Sequence, residues 1–381
     1  MKILGIIVEY NPFHNGHIYH IQKAKAMIQP DYTIAVMSSS FVQRGEPAII
    51  DKWTRAHLAI EYGVDLVIEL PFVYVCQSAD YFAKGAVWLL QAIGVTDLCF
   101  GSENGQIETF LDIAYAIEKH QHSYNDYIQY YMKQGMRYPD ACNQTLKQIL
   151  GKEIKTPNDL LGLSYVKEIV SHHYPIIPHC FQRTNNYHGT SLQTIASATA
   201  IRQALYLHQD ISQSLPHADY YQGDLYMLND FFPYLKYQIL MSSPKQLKEY
   251  HLVEEGLENR LYKSINQVHT MEELILSLLS KRYTKPRIQR MIIHILMKNT
   301  KADIQKAMSL DYIRILAMND QGKNYLNYIK KECSYTLVTN LSKYQHPALD
   351  IEYKATQLLA LLSSQPEKII KEEYAHIPYI K

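Results

Sequence analysis

Short apolar runs rich in β-branched residues recur through the first hundred positions of the chain. They are Ile3-Leu4-Gly5-Ile6-Ile7-Val8, Thr33-Ile34-Ala35-Val36-Met37, Asp65-Leu66-Val67-Ile68-Glu69 and Asp97-Leu98-Cys99-Phe100. Between them lie stretches of helical period, roughly 16–28, 52–62 and 79–93, with Asp51 placed to cap the second. Apolar strands alternating with helices predict an α/β fold, a parallel sheet wrapped by helices on both faces. In such sheets a ligand sits beyond the C-terminal strand ends. The loops after Val8, Met37, Leu70 and Phe100 are therefore where chemistry is expected.

From about 105 to 170 the pattern is helical, punctuated by Pro139 and Pro157. A Pro-rich extended piece follows (Tyr174-Pro175-Ile176-Ile177-Pro178-His179), then a polar loop to about 194 and a helix from Ser197 to about Leu207. Beyond a Pro/His/Gly/Asp-rich stretch near 215–224 the remainder reads as α throughout. The expected organisation is an α/β domain over 1–212 and a mostly α-helical domain over 213–381.

The most informative segment is Glu9-Tyr10-Asn11-Pro12-Phe13-His14-Asn15-Gly16-His17-Ile18-Tyr19-His20. A strand ends, Pro12 stiffens the loop, and a helix opens on His14-x-Gly16-His17. Residues three apart share a helix face, so both imidazoles can address one object off the helix N-terminus, where free N–H groups already favour an anion. There they can bind phosphate oxygens and stabilise the charge that builds as an α-phosphate is attacked and pyrophosphate leaves. Gly16 lets a base or ribose lie against the backbone. Two other readings are half a metal site, for which no third and fourth ligand stands nearby, and two surface histidines. The flanking strand, the glycine and the helix favour phosphate, and no metal ligand set is assigned.

A second motif, Ile195-Ala196-Ser197-Ala198-Thr199-Ala200-Ile201-Arg202, opens the late helix. Ser197 can cap it, Thr199 offers a hydroxyl and N–H in the first turn, and Arg202 lies one turn on. That turn can hold the β- and γ-phosphates from the side opposite the histidines. Catalytic roles are assigned to His14, His17, Thr199 and Arg202.

Composition narrows the class rather than the chemistry. With 381 residues, 47% hydrophobic and 20% charged, the chain is an ordinary folded one of two or three domains. Its net charge of +1 is unevenly spread: residues 1–210 carry 16 basic and 19 acidic side chains, the rest 22 and 18. The five cysteines, Cys76, Cys99, Cys142, Cys180 and Cys333, show no C-x-x-C, against a disulfide framework or a cysteine zinc site. The apolar run Ile3–Val8 is too short for a signal peptide, and no stretch approaches a bilayer span. A cytoplasmic protein without a membrane partner is expected.

The two motifs resemble those of the HxGH nucleotidyltransferase superfamily. With Phe41-Val42-Gln43-Arg44-Gly45-Glu46-Pro47-Ala48, Asp51-Lys52-Trp53, Asp65–Pro71, Phe100-Gly101-Ser102-Glu103 and Lys281-Arg282-Tyr283-Thr284-x-x-Arg287-Ile288-x-Arg290, the chain is similar to the tRNA(Met) cytidine acetate ligase family from residue 5 to about 300. The resemblance implies a Rossmann-like nucleotidyltransferase domain. It implies that acetate and ATP, accompanied by Mg2+, give acetyl-adenylate and pyrophosphate. The acetyl group then passes to N4 of the wobble cytidine of elongator tRNA(Met), without acetyl-CoA. The implied ATP contacts are Ile7, Val8, Glu9, Tyr10, Asn11, Pro12, Phe13, His14, Asn15, Gly16, His17, Ile18, Tyr19 and His20, with Gly101, Asn158, Arg183 and Ser197. On the residues alone, Asn158 can equally be a helix N-cap. Three positions depart from the family pattern: Ser38-Ser39-Ser40 for Ser-Gly-Asn, Ser164 for Glu, and Ala198 for the middle Ser of S-S-T.

From Lys281 to Lys301 stand seven basic residues and no acid. Arg287 and Arg290 at helical spacing, with Ile288, Ile292 and Ile295 on another face, predict an amphipathic helix with a cationic side after Pro286. Lys281, Arg282, Tyr283, Arg287 and Arg290 are the expected tRNA contacts, Tyr283 by stacking. An adenylyltransferase of cofactor biosynthesis is the alternative, and a non-catalytic RNA-binding protein a third reading.

Overall fold

The computed structural model describes residues 1–154, 156–183, 196–376 and 378–381. Part of the polar loop before the late helix, together with Ile195, lies outside the described residues.

Eight strands form one sheet. They are β1 (Ile3–Val8), β2 (Tyr32–Ser38), β3 (Leu66–Leu70), β4 (Asp97–Ser102), β5 (Ile177–Gln182), β6 (Tyr312–Met318), β7 (Thr336–Val338) and β8 (Tyr379–Ile380). The order is β5-β4-β1-β2-β3-β6-β7, with β8 on β6. Strands β1 to β5 run parallel. The chain leaves β1 for β2 on one side and returns with β4 on the other, so the C-terminal ends of β1 and β4 flank the switch point where such sheets bind ligands.

The helices follow the apolar periodicity closely: Asn15–Ile28, Lys52–Glu61 and Ala79–Ala92. Asp51 caps the second by accepting from the Thr54 N–H at 2.8 Å. Pro139 and Pro157 sit in the first turns of Tyr138–Leu150 and Pro157–Ser171, where a missing N–H costs nothing.

The C-terminal part, expected to be mostly α-helical, also reaches into the sheet. It is mostly helical but contributes β6, β7 and β8 to the same sheet, and β6 pairs antiparallel with β3. The expected boundary at 212/213 is thus crossed by the sheet itself. Strand β6 is buried along its whole length, and Arg314 in its middle breaks the apolar run that would have marked it in the sequence. Arg314 is neutralised by Glu69 of β3 at 3.1 Å and Glu373 at 2.6 Å, and Lys52 joins both carboxylates. Glu352 belongs to the same buried group: it accepts from the Phe72 N–H and lies 3.9 Å from Lys52.

Candidate active site

The loop after β1 and the first turn after it build one wall of a cleft of about 260 Å3 at the switch point. His14 is the N-cap of helix Asn15–Ile28. Its Nδ1 accepts from the Gly16 N–H at 3.0 Å, while its own N–H donates to His17 Nδ1 at 3.2 Å. The two histidines therefore form a reciprocal capping box, a role usually filled by Ser/Thr and Glu/Gln. The rings stack 3.9 Å apart. Because each Nδ1 accepts, each neutral ring carries its proton on Nε2.

Burial, reinforced by Arg183 and Arg202, pushes the His14 imidazole down to about 4. Burial and the neighbouring His14 and His20 hold His17 well below the usual histidine range. Both rings are therefore neutral N–H donors at pH 7. His20 is also pushed down to about 4 by burial, and its Nε2 meets the Cys99 carbonyl of β4 at 3.4 Å. It joins the helix to the sheet.

Ser197 caps helix Ala198–Tyr206, accepting from the Ala200 N–H at 3.2 Å. Arg202 donates to the Asn11 carbonyl at 2.7 Å and lies 3.4 Å from Thr199 Oγ1. Asn11 Oδ1 accepts from the Ile49 N–H at 2.8 Å, so one side chain of the first loop pins the loop after β2. A satellite core of Ile49, Ile50, Ala196, Ile201 and Leu205 holds the late helix in place. The two motifs, some 180 residues apart in sequence, thus meet across one cleft.

Of the expected contacts, Ile7, Val8, Glu9, Tyr10, Asn11, His14, Gly16, His17, Tyr19, His20, Gly101, Asn158, Arg183, Ser197, Thr199 and Arg202 line the cleft. Pro12, Phe13, Asn15 and Ile18 lie behind the lining: Phe13 is buried in the core, Ile18 packs on it, and the Asn15 side chain donates to the Gln213 carbonyl. Asn158 is not an N-cap. Thr156 holds that place, and Asn158 donates to Glu103 Oε1 at 2.6 Å, tying the end of β4 to the helix. The stem of Arg183 crosses Gly101 so closely that an added Cβ would lie 3.0 Å from its Cγ. The space opened by Gly101 is used to bring a cation over the strand end.

The loop after β2 is expected to bear on chemistry but gives no residue to the expected contacts, yet Val42, Arg44 and Glu46 line the same cleft. Ser38, Ser39 and Ser40 are buried. Arg55 binds the Glu9 and Ser38 carbonyls at 2.7 and 3.1 Å and that of Ser39 as well. Ser38 donates to Glu9 Oε1 at 3.1 Å, and the Gln43 N–H at 2.7 Å. Burial nonetheless raises the Glu9 carboxyl above its ordinary range. The serine turn is a scaffold for Glu9, and the signal that could have found it is Arg55, which with Lys52 puts a cation on the buried face of its helix.

The basic stretch is placed differently from the expectation. Helix Lys285–Leu296 is buried from Ile288 to Ile295 and has no solvated cationic side. Arg290 is 8% exposed and donates to the Gln43 carbonyl at 3.1 Å. Arg287 donates to the Leu252 carbonyl at 2.9 Å and pairs with Glu254. Tyr283 donates to Glu255 at 2.6 Å, and the Arg287 guanidinium lies 5.8 Å from its ring centre. Lys281, Arg282 and Lys285 are exposed, Arg282 pairing with Glu255. The helix packs on the loop after β2: Gly45 has φ +79°, and a Cβ there would lie 2.3 Å from the Arg290 backbone nitrogen.

A switch-point cleft edged by two neutral imidazoles at a helix N-terminus defines a nucleotidyltransferase, and the HIGH Nucleotidyl Transferase family model matches residues 1–373. The tRNA(Met) cytidine acetate ligase of Bacillus subtilis is 41% identical over 99% of this chain and 97% of its own. That of Anoxybacillus flavithermus is 41% identical over 98% and 97%. Thermotoga maritima TmcAL, solved without ligand, superposes with a TM-score of 0.91 at 31% identity over 100% of this chain and 99% of its own. Its form bound with alpha-thio ATP superposes at 0.89 with the same identity and coverage. The chain belongs to the tRNA(Met) cytidine acetate ligase family.

Proposed function

We propose that the protein activates acetate with ATP and transfers the acetyl group to N4 of the wobble cytidine of elongator tRNA(Met). The observation that carries this reading is the reciprocal histidine cap facing Thr199 and Arg202 across the switch-point cleft. The acetate oxygen attacks the α-phosphorus, pyrophosphate leaves, and the growing charge is met by the Nε2–H groups of His14 and His17, with Arg202 and Arg183 supplying positive potential. Neutral rings suit this arrangement, because each can present its Nε2–H to a phosphate oxygen while its Nδ1 accepts in the cap. The mixed anhydride is reactive enough to acylate a weakly nucleophilic exocyclic amine.

Magnesium enters with ATP. Among the described residues no group of three or more His, Cys, Asp or Glu side chains could hold a metal ion. No helix of the described residues is long and apolar enough to cross a membrane. The C-terminal part, residues 213–381, supplies the tRNA contact, with Lys281, Arg282 and Lys285 as the phosphate-facing edge. Arg290 ties that edge to the cleft loop through the Gln43 carbonyl, and Arg287 ties it to Leu252 and Glu254.

Incubation with ATP, labelled acetate and total tRNA tests the reading. Label on tRNA together with acetate-dependent pyrophosphate release supports it. Label arriving only when acetyl-CoA replaces acetate and ATP refutes it. Pyrophosphate release that needs a phosphorylated metabolite favours the small-molecule adenylyltransferase.

A further inference from the structure

A second cavity, of about 240 Å3, opens beside the cleft, and Glu46 and Arg202 line both. Its remaining walls come from the C-terminal part and the loop after β2. Ile49, Tyr226, Leu228 and Ile275 supply apolar lining, while Lys285 and Gln289 add donors and Glu272 a second carboxylate, so the cavity is of mixed polarity. Glu46 is held at the partition: Gln289 Nε2 donates to its Oε1 at 3.1 Å, and Arg202 Nη2 lies 3.7 Å from its Oε2. Its side chain is 28% exposed.

We propose that this second cavity receives the cytosine base of the tRNA and that Glu46 accepts a proton from its N4 amine; the proposal rests on the function given above. The chemistry points to this base. An exocyclic amine is a donor, and a carboxylate is its matched acceptor, whereas uracil presents O4, which a carboxylate repels. The pyrimidine O2 and N3 are acceptors, matched by the donors Arg202, Gln289 and Lys285. Apolar walls suit the faces of a base withdrawn from its neighbours. Glu46 stands where the two cavities meet, so an amine held by it faces the acyl group made next door.

The transfer step then balances. The N4 lone pair attacks the acetyl carbonyl carbon and a C–N bond forms. The bond from that carbon to the phosphate oxygen breaks, its electron pair leaving with AMP, and one N4 proton passes to Glu46 and on to solvent. Glu46 is a catalytic residue for transfer in this scheme, while Gln289 positions it.

The experiment compares two half-reactions in the full-length protein: acetate-dependent exchange of labelled pyrophosphate into ATP, and acetyl transfer to an unmodified tRNA(Met) transcript. For Glu46→Gln the expected fall in transfer is at least tenfold deeper than any fall in exchange. A transcript carrying uridine at the wobble position should compete with the cytidine transcript about 5- to 150-fold more weakly in the wild type, and nearly equally in Glu46→Gln, whose amide can donate to O4. Asn229→Trp, at an exposed position lining only the second cavity, should raise the KM for tRNA at least tenfold. Equal loss of both half-reactions in Glu46→Gln, retained discrimination against uridine, or an unchanged KM in Asn229→Trp would overturn the proposal. A wild type that exchanges pyrophosphate but never labels tRNA would instead overturn the function on which it rests.

Discussion

Replacing His17 with alanine separates what its ring does for the fold from what it does for the reaction. The ring accepts the His14 N–H at 3.2 Å, stacks on His14 at 3.9 Å and meets the Tyr10 ring edge-on at 4.9 Å. Losing the cap should cost about 1–2 kcal/mol of stability. Losing one preorganised donor to developing charge should cost about 10²- to 10³-fold in rate, roughly 3–4 kcal/mol. His17→Ala should therefore stay folded at 25 °C while its acetate-dependent pyrophosphate exchange falls at least a hundredfold. The pH profile is the sharper readout. Because both rings are held neutral, the wild-type exchange rate should show no histidine limb near pH 6.5. A limb near 6.5 that disappears in His17→Ala would refute the neutral-donor account, and so would a loss of rate below tenfold.

The same burial sets the acid stability of the fold. Moving His14 from 6.5 to about 4 corresponds to about 3 kcal/mol of preference for the neutral ring. As pH falls, the unfolded chain takes up its proton near 6.5 and the folded one only near 4. Stability is therefore lost between those values, and this ring contributes no slope above them. Urea midpoints from pH 7 to 4.5 should fall, less steeply in His14→Asn. Arg314→Met should lower stability by about 3–5 kcal/mol, read from urea unfolding, because Lys52 would be left as the one cation paired with both Glu69 and Glu373. Gly45→Ala combines about 1–3 kcal/mol of backbone strain with a clash against the Arg290 backbone, and should depress both half-reactions. Neutralising Lys281, Arg282 and Lys285 together should flatten the salt dependence of tRNA binding by about two units of log–log slope, whereas Arg290→Ala should lower the melting temperature and leave that slope nearly unchanged.

The legible parts of the chain were those in which local pattern and global fold agree. Strands β1 to β4 announce themselves because they are buried on both faces, and the histidine motif because strand end, glycine and helix start fall in one short segment. Where a side chain served a distant partner, local reading failed. Arg314 looks like a polar interruption until Glu69 and Glu373, from opposite ends of the chain, are seen around it. Arg290 and Arg287 look like a solvated charge run until Gln43, Leu252 and Glu254 are seen to take their hydrogen bonds. Asn158 reads as a cap because it follows a proline at a helix start, and only the carboxylate of Glu103, 55 positions away, gives it another task.

The residues that serve distant partners share a feature that bears on mechanism. Arg290, Gln289 and Gly45 join the C-terminal part to the loop carrying Arg44 and Glu46, while Lys52, Glu69, Arg314 and Glu373 join it to the sheet two strands from the histidines. A partner bound on the C-terminal part therefore bears on a loop that also lines the nucleotide cleft, through the hydrogen bonds of Gln289 to Glu46 and of Arg290 to Gln43. Two half-reactions that share an unstable mixed anhydride gain from such a frame: the acyl group need not leave the cleft, because the wall that separates it from the second cavity is held by residues of both parts of the chain.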